Sequence, residues 1–407
     1  MKYKFKIKNK KRKFIIAQNE SINIIYFYIV LIGKIFFLSI IIFTIIKSYN
    51  SSKEKKTELN IKISSLNYTN EFIQFTSQFS NDSLLTSLLN NISIISVDYS
   101  NKTKINSDKI KINICISLNN GHIYVALVAM ESALSNLNKE KSIYIYHILC
   151  SGDVDNNSIE KIKNFMNKYN ENLELIFYNM SNIFIQFKHQ RLSQVTYYRL
   201  LLPLMIPSDR IIYLDNDILV FKDLLELYQT SFNGNYVLGS LDMTSNSLDY
   251  LGIKSDRYIN AGVLLINLDK IRKDNKHIEI IKMALFHRNL RSHDQTVINY
   301  VFYPNIGLLP FKYGLFNFQS ESDIENKYMN IIRQKLDTKE LIKAFNDPGI
   351  MHLLVCHPKV WMRNPKFSKR VTMCQEKNDC DCSKYHDIWY EYAKNTSYFE
   401  EIKNRYK

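Results

Sequence analysis

The stretch Arg210-Ile211-Ile212-Tyr213-Leu214-Asp215-Asn216-Asp217-Ile218-Leu219-Val220 decides the fold expected for this chain. It begins with a short apolar run, which is typical of a buried strand and too short for a helix. Two acids follow at positions i and i+2, so in extended chain the side chains of Asp215 and Asp217 leave the same face. Two carboxylates held this close repel each other unless a cation lies between them. Because carboxylates suit magnesium or manganese and open α/β sheets bind ligands after their strands, this pattern predicts a metal-assisted site.

An acid pair after an apolar strand has two other interpretations. It can be a capped strand end with solvated acids, because motifs this short recur by chance. It also occurs in haloacid-dehalogenase-type phosphatases, where it opens the domain and a second acidic pair of the form Gly-Asp-x-x-x-Asp follows. This chain carries the motif only after residue 210 and has no such second pair. The context therefore disfavours a phosphatase.

The first 47 residues predict a membrane anchor. Residues 1–21 hold eight Lys or Arg residues against one acid, within a chain of formal net charge +15. Residues 22–47 are nearly continuously apolar, apart mainly from Asn23, Gly33 and Lys34, and about 20 apolar residues cross a bilayer core. The run is too long for a typical signal peptide and lacks a small-residue cleavage site. With the basic tail on the cytoplasmic side, we predict a single-pass type II membrane protein facing the lumen of the Golgi or endoplasmic reticulum, and no nucleic-acid partner.

The remainder of the chain divides into a stem and one domain. Residues 48–108 are rich in Ser, Asn, Thr and Lys and contain neither Gly nor Pro, so we interpret them as a stem. Residues 109–407 suffice for one large α/β domain. Strand and helix patterns alternate through its first half, and this order predicts a mostly parallel sheet flanked by helices. Residues from about 365 to 407 have the apolar spacing of a helical tail packed on the domain.

The six cysteines fall into two groups. Cys115 and Cys150 lie in predicted apolar strands and are expected to be buried thiols. The others lie late in the chain, as Cys356, Cys374, Cys380 and Cys382. Their spacing does not match a zinc site, and in an oxidising compartment it indicates disulfides, whose pairing the sequence leaves open.

Further blocks around the acid pair resemble one known family. They are Thr196–Leu202, Tyr258–Leu268, His293–Asn299, Ile350–Leu354 and Lys359-Val360-Trp361. In order and spacing they resemble glycosyltransferase family eight, which includes glycogenin, plant galacturonosyltransferases and bacterial lipopolysaccharide galactosyltransferases. The resemblance extends from Lys109 to about Trp361. It implies a GT-A fold for nucleotide-diphospho-sugar transfer, a donor that is usually a UDP-sugar, a divalent cation (Mn²⁺ or Mg²⁺) and retention at the anomeric carbon.

The resemblance also implies roles for single residues. Asp215, Asp217 and His352 match the metal ligands. Asp294 and Gln295 match the pair beside the reacting carbon and are the expected catalytic residues. The expected donor-binding residues are Asn119 at the base, Arg199 before the metal motif, Asn260 and Gly262 at the sugar, and Lys359 at the diphosphate.

The last block departs from the family's usual pattern, His-aromatic-x-Gly-x-x-Lys-Pro-Trp. Val355 stands at the glycine position, Val360 at the proline position, and one residue is inserted before Lys359. Glycine lets a backbone approach a diphosphate closely, so Val355 bears on that contact, and His357 is a second candidate for it. These departures keep an alternative open, a catalytically inactive member that binds a nucleotide sugar or a glycan.

The intact metal ligands and the intact Asp294–Gln295 pair favour an enzyme over that alternative. We therefore expect a retaining, metal-dependent transferase that moves a hexosyl-type sugar from a UDP-sugar to a glycan, glycoprotein or glycolipid acceptor. The donor sugar, the acceptor and the route of retention are not encoded in any motif that we find.

Overall fold

The computed structural model describes residues 68–98, 108–169, 171–187, 194–242, 248–255, 257–286, 290–316, 338–354, 356, 359–362 and 382–406. The predicted basic tail (1–21) and anchor (22–47) lie outside these ranges. Among the helices in the described part of the chain, none combines the length and apolar character that a membrane span requires.

The strands are β1 (Ser93–Asp98), β2 (Ile110–Leu118), β3 (Ser142–Cys150), β4 (Leu173–Asn179), β5 (Arg210–Leu214), β6 (Ile218–Val220), β7 (Val237–Leu241), β8 (Ile259–Asn267), β9 (Ile306–Leu308), β10 (Tyr313–Phe316) and β11 (Ile350–His352). The helices are α1 (68–77), α2 (Ser83–Leu89), α3 (Ile123–Ser135), α4 (Asn156–Lys163), α5 (Phe165–Tyr169), α6 (Leu202–Met205), α7 (Leu225–Tyr228), α8 (Leu268–Lys273), α9 (Lys276–Phe286), α10 (His293–Phe302), α11 (Thr338–Asn346), α12 (Ser383–Lys394) and α13 (Phe399–Arg405). Shorter 3₁₀ segments include Asn120–His122 and Gln194–Leu201.

An eight-stranded sheet with the order β1-β4-β3-β2-β5-β8-β7-β9 forms the centre of the domain. Strands β4, β3, β2 and β5 are parallel to one another, β8 runs antiparallel to both of its neighbours, and β7 and β9 are parallel. All nine residues of β3 are buried, because helices cover both faces of the sheet. Its side chains alternate between two hydrophobic clusters, with Ile145 and Leu149 on one face and Tyr144, Tyr146 and Ile148 on the other. The mostly parallel sheet flanked by helices is confirmed.

A second sheet of three strands, β10-β11-β6, lies beside the end of β5. Strand β6 follows β5 after three residues, and it pairs antiparallel with β11 so that Ile218 lies opposite His352. This register brings residues about 135 positions apart in sequence next to each other. Because of this pairing, His352 on β11 lies beside the acid pair that follows β5.

Part of the segment interpreted as a stem packs on the sheet. Strand β1 pairs antiparallel with β4, and Phe72, Leu85 and Val97 are buried in the core of the domain. These elements belong to the same compact unit as the sheet. The domain therefore begins earlier than the expected boundary at residue 109, because β1 covers the edge of β4 that would otherwise be open.

The C-terminal segment packs as helices, as the sequence predicts for it. Helix α12 contacts α3 and α13. Trp389 of α12 is fully buried in a hydrophobic cluster that also contains Val128 of α3, Ile402 of α13 and Trp361. Cys382 forms a disulfide with Cys356, so the expectation of a disulfide is confirmed and its pairing is found. Cys374 and Cys380 lie outside the described residues. Cys115 and Cys150 are buried free thiols, as expected.

Candidate active site

The two acids of the central motif lie where β5 ends. The backbone N–H of Asp215 donates to Gly262 O at 2.8 Å, which continues the pairing of β5 with β8 by one residue. The chain then turns through Asn216, whose side-chain amide donates to Ser117 O at 2.8 Å on the neighbouring strand β2. Beyond the turn, β6 begins at Ile218. This turn presents both carboxylates at the carboxyl-end edge of the parallel strands, as the motif predicts.

His352 completes a cluster of three possible metal ligands. One side-chain ligand atom from each of Asp215, Asp217 and His352 lies within 4.8 Å of the other two. The ring nitrogen Nε2 of His352 is 3.1 Å from Asp217 Oδ1 and 3.9 Å from Asp215 Oδ2. His352 is buried, whereas the two acids are only partly buried. The structure therefore brings together the three residues that the resemblance pairs with metal ligands.

Gly262 leaves the space in which this cluster fits. A Cβ atom at this position would lie 2.1 Å from His352 Cε1 and 2.9 Å from Asp215 Oδ2. Contacts this close are sterically forbidden, so a larger residue would displace the imidazole or the carboxylate. Glycine is thus required at this place on β8 by close approach rather than by its backbone angles.

Lys359 neutralises the second acid of the motif. Its ammonium lies 2.7 Å from Asp217 Oδ2 and also donates to Leu353 O at 3.3 Å. Burial alone would raise the pKa of Asp217, but the ammonium of Lys359 and the contact with His352 outweigh it and hold that pKa well below its usual range. Val355 and His357, the other positions of interest in this block, lie outside the described residues.

Arg199 is buried and joins two acids. Its guanidinium lies 2.9 Å from Asp215 Oδ1 and 3.2 Å from Asp294 Oδ2. It also donates to Ala261 O and lies 4.0 Å above the ring of Tyr213. Its Nε–H donates to Thr196 O at 2.9 Å, so three of the five donors of the guanidinium are hydrogen-bonded and its orientation is fixed.

The segment that carries Arg199 is not one continuous helix. It is a 3₁₀ segment to Leu201, followed by the short helix α6. Pro203 lies in the first turn of α6. Proline lacks an N–H, and the first turn of a helix does not need that donor, so Pro203 begins a helix here instead of ending one.

The predicted catalytic pair lies at the start of α10. Burial raises the pKa of Asp294 to about 6, although Arg199 opposes this shift. The amide of Gln295 is hydrogen-bonded at both ends. Its Nε2 donates to Asp242 Oδ2 at 2.8 Å, and its Oε1 accepts from Ala261 N at 3.1 Å and Asn260 Nδ2 at 3.2 Å. Asn260 Oδ1 in turn accepts from the N–H of Gly262 at 2.8 Å, so this network is continuous with the cluster of possible metal ligands.

The sequence analysis did not single out two residues of this region. Asp242 is buried directly after β7 and binds both Asn260 and Gln295. An acid after an apolar run is the signal that identified Asp215, and it was available here as well. His122 is the second, because its ring Nδ1 lies 2.8 Å from Asn119 Oδ1. No motif in the sequence singled it out.

Asn119 caps its own turn after β2. Its side-chain oxygen accepts from the backbone N–H of His122 at 3.1 Å as well as contacting the ring. Burial lowers the pKa of His122, and Asp217 and Lys359 are the next strongest influences on it. The turn of Asn119 and His122 therefore lies beside the acid cluster without belonging to it.

Comparison with known proteins identifies the family. The sequence model of glycosyl transferase family 8 matches residues 113–364, which is more than half of the chain. The chain belongs to glycosyl transferase family 8. This confirms the resemblance drawn from the acid pair and the blocks around it.

Several curated proteins resemble parts of the chain. The lipopolysaccharide 1,2-glucosyltransferase of Escherichia coli is 27% identical over 218 residues, which are 49% of this chain and 62% of that protein. Glycosyltransferase GlyE of Streptococcus pneumoniae is 27% identical over 133 residues, 32% of this chain and 30% of its own. General stress protein A of Bacillus subtilis is 23% identical over 180 residues, 42% and 62% of the two chains. The chain thus spans less than two thirds of these curated relatives.

Solved structures show the same fold. The galactosyltransferase LgtC, in complex with donor and acceptor sugar analogs, superposes with a TM-score of 0.53 at 20% identity, over 70% of this chain and 96% of its own. The bifunctional glycosyltransferase WbbM gives a TM-score of 0.57 at 18% identity, over 75% and 53%. These similarities confirm an α/β fold of the GT-A type.

The predicted location is wrong. The matched relatives are proteins of Streptococcus pneumoniae, Bacillus subtilis and Escherichia coli, and a family-8 chain with bacterial relatives gives no support to a type II protein of the Golgi or endoplasmic reticulum. That prediction rested only on the basic and apolar pattern of residues 1–47, and such a pattern does not identify a compartment.

Proposed function

We propose that this chain is a retaining, metal-dependent glycosyltransferase that moves a hexosyl-type sugar from a UDP-sugar to a glycan, glycoprotein or glycolipid acceptor. The observation that carries the proposal is the cluster of Asp215, Asp217 and His352, packed against Gly262 at the carboxyl-end edge of the sheet. Family membership adds support, as does the similarity to a lipopolysaccharide 1,2-glucosyltransferase.

The residues of the cluster fit a divalent cation. Two carboxylates and one imidazole form a donor set that is rich in oxygen, which suits manganese or magnesium better than a softer metal. The ligand atoms are already within 4.8 Å of one another, and Gly262 keeps a Cβ out of the cluster. When bound, the cation would supply Lewis-acid stabilisation of the departing diphosphate.

The proposal assigns different roles to the two basic side chains, Lys359 and Arg199. The side chain of Lys359 is 31% exposed, whereas that of Arg199 is 4% exposed. Lys359 is therefore the residue able to contact a diphosphate and stabilise its charge. Arg199 acts through Asp215 and Asp294, which it holds in place, so we assign it as a positioning residue instead of a direct donor ligand.

The network of Asn260, Asp242 and Gln295 provides polar groups for a sugar beside the metal cluster. The oxygen of Gln295 already accepts two hydrogen bonds, and the carboxylate of Asp294 is 5% exposed and paired with Arg199. A group engaged in this way is a poor nucleophile, because attack would break its existing contacts. We therefore favour attack of the acceptor on the same face as the leaving group, with Gln295 and Asn260 orienting the sugar.

The direct test is turnover of a panel of nucleotide sugars by the full chain in the presence of Mn²⁺. We expect slow hydrolysis of at least one UDP-sugar. We expect slower hydrolysis of every sugar that is carried on another nucleotide. Binding of a UDP-sugar with no turnover to water or to any glycan acceptor would instead establish the inactive binding protein. Absence of binding to every nucleotide sugar would contradict both.

A further inference from the structure

The backbone around Lys359 is held by the C-terminal helix α12. His386 Nδ1 lies 2.7 Å from Val360 O, and it is the donor, because a carbonyl oxygen only accepts. The hydroxyl of Tyr390 donates to Trp361 O at 3.1 Å. His386 and Tyr390 are four residues apart on α12, so one face of the helix reaches two successive carbonyls of the segment.

The same segment is also joined to α12 covalently and by packing. The disulfide from Cys356 ends at Cys382, the residue that precedes the helix. The rings of Trp361 and Trp389 pack with their centroids 6.0 Å apart, and both are buried. Lys359 therefore lies between two fixed points, the disulfide on one side and the hydrogen-bonded carbonyls on the other.

The other faces of the C-terminal helices rest on the body of the domain. Tyr124 on α3 donates to Glu401 Oε2 at 2.6 Å, and Asn136 at the end of α3 donates to the hydroxyl of Tyr392 at 3.4 Å. Because α3 is anchored in the core, α12 has a rigid support from which to hold the segment 359–362. That segment keeps one turn of its own, through the bond from Met362 N to Lys359 O at 2.9 Å.

We propose that His386 and Tyr390 are positioning residues, through which α12 directs the ammonium of Lys359 to the metal cluster and so increases the affinity for the diphosphate of the donor. This inference rests on the proposed function, because it takes Lys359 as a ligand of the diphosphate. The family match ends at residue 364, so α12 lies beyond it. Val360 stands where the family's usual block has proline, and hydrogen bonds from α12 supply the restraint that a proline ring would give.

The test measures UDP binding in the presence of Mn²⁺ by calorimetry, with no turnover involved. The test variants are Tyr390→Phe, His386→Phe and the double variant. Tyr392→Phe is the matched control, because it removes the same atom from the same helix at a residue that contacts α3 and not the segment. We expect each single change to weaken UDP binding about threefold to tenfold, the range for one lost hydrogen bond, and Tyr392→Phe to bind like the wild type. His386→Asn keeps an N–H donor and should restore most of the affinity.

A double-mutant cycle with Lys359→Met separates positioning from general stability. If α12 acts through Lys359, the changes at residues 386 and 390 have no further effect on UDP binding once Lys359 is replaced. If they weaken binding by the full factor in the Lys359→Met background, the proposal is overturned.

Hydrogen exchange decides the case in which the wild type binds no UDP. That result would rule out the proposed donor, but it would not test whether α12 positions the segment 359–362. The amide of Met362 should then exchange faster in the double variant than in Tyr392→Phe, and equal exchange in the two would overturn the positioning of this segment by α12.

Discussion

Arg199 Nη2 lies 2.9 Å from Asp215 Oδ1, and this ion pair connects the cluster of Asp215, Asp217 and His352 to the start of α10. The same guanidinium reaches Asp294 at 3.2 Å. One buried cation therefore fixes the distance between the acid that would bind metal and the acid beside the reacting carbon. The relation explains how residues 215 and 294 keep their places although no strand pairing joins them.

Replacement of Arg199 should destabilise the whole domain. Arg199→Met leaves the buried carboxylate of Asp294 without its cation, and removal of one partner from a buried pair costs about 3–5 kcal/mol. Arg199→Lys keeps the charge but loses the forked geometry, so we expect an intermediate loss. Urea unfolding at pH 7 followed by circular dichroism measures the difference. The exposed change Lys273→Met on α8 serves as the control and should stay within about 0.5 kcal/mol of the wild type. An Arg199→Met protein as stable as this control would contradict the role of the pair.

Gly262→Ala should weaken metal binding. The new methyl group would overlap His352 Cε1, and displacement of a ligand's support typically costs about tenfold or more in metal affinity. Titration with Mn²⁺ in the absence of donor measures this directly. Gly307→Ala is the matched control, since its methyl would lie 2.3 Å from Leu238 Cδ2 in the core instead of near the cluster. Equal Mn²⁺ affinity of the two folded variants would disprove the steric account.

His147 should make the domain sensitive to acid. Its ring lies between Asn113 Oδ1 at 2.9 Å and the hydroxyl of Tyr178 at 3.0 Å, and burial lowers its pKa to about 3. The folded state therefore binds fewer protons than the unfolded state between pH 3 and 6.5, and stability is lost as the pH falls through this window.

The expected loss from this group between pH 7 and pH 5 is about 2 kcal/mol. His147→Gln keeps a donor and an acceptor but takes up no proton in this range. The comparison of urea unfolding for the wild type and this variant at both pH values isolates the contribution. A variant with the same pH dependence as the wild type would assign the acid sensitivity to other groups.

The sequence predicted that Asp215, Asp217 and His352 come together because local pattern and family blocks agree there. A strand end with acids at i and i+2 is a local feature, and His352 was placed by a block whose spacing is independent of the first. Asp242 carries the same local signal after Val237–Leu241, yet it matched no block and was passed over. Its role depends on Asn260 and Gln295, which only the folded sheet brings within reach.

Features that depend on contacts distant in sequence were beyond the pattern. Strand β1 has a single fully buried residue, Val97, and three of its six residues are polar, so the sequence alone did not separate it from the polar stem. The partner of Cys382 was open for the same reason, because a pairing depends on which residues meet in space and not on their spacing. The contacts between α12 and the residues around Lys359 likewise join two segments that no common motif connects.

The central claim is that Asp217 serves a divalent cation in sugar transfer, and turnover of a UDP-sugar against Mn²⁺ concentration tests it most directly. Asp217→Asn keeps the size of the side chain but lowers the ligand charge, so we predict a loss of at least about 100-fold, comparable to removing one main electrostatic contact to a transition state. Circular dichroism should show a folded variant, and Asp269→Asn on α8, remote from the cluster, should turn over like the wild type. Wild-type turnover that is equally fast in EDTA, or an Asp217→Asn variant with full activity, would contradict the account.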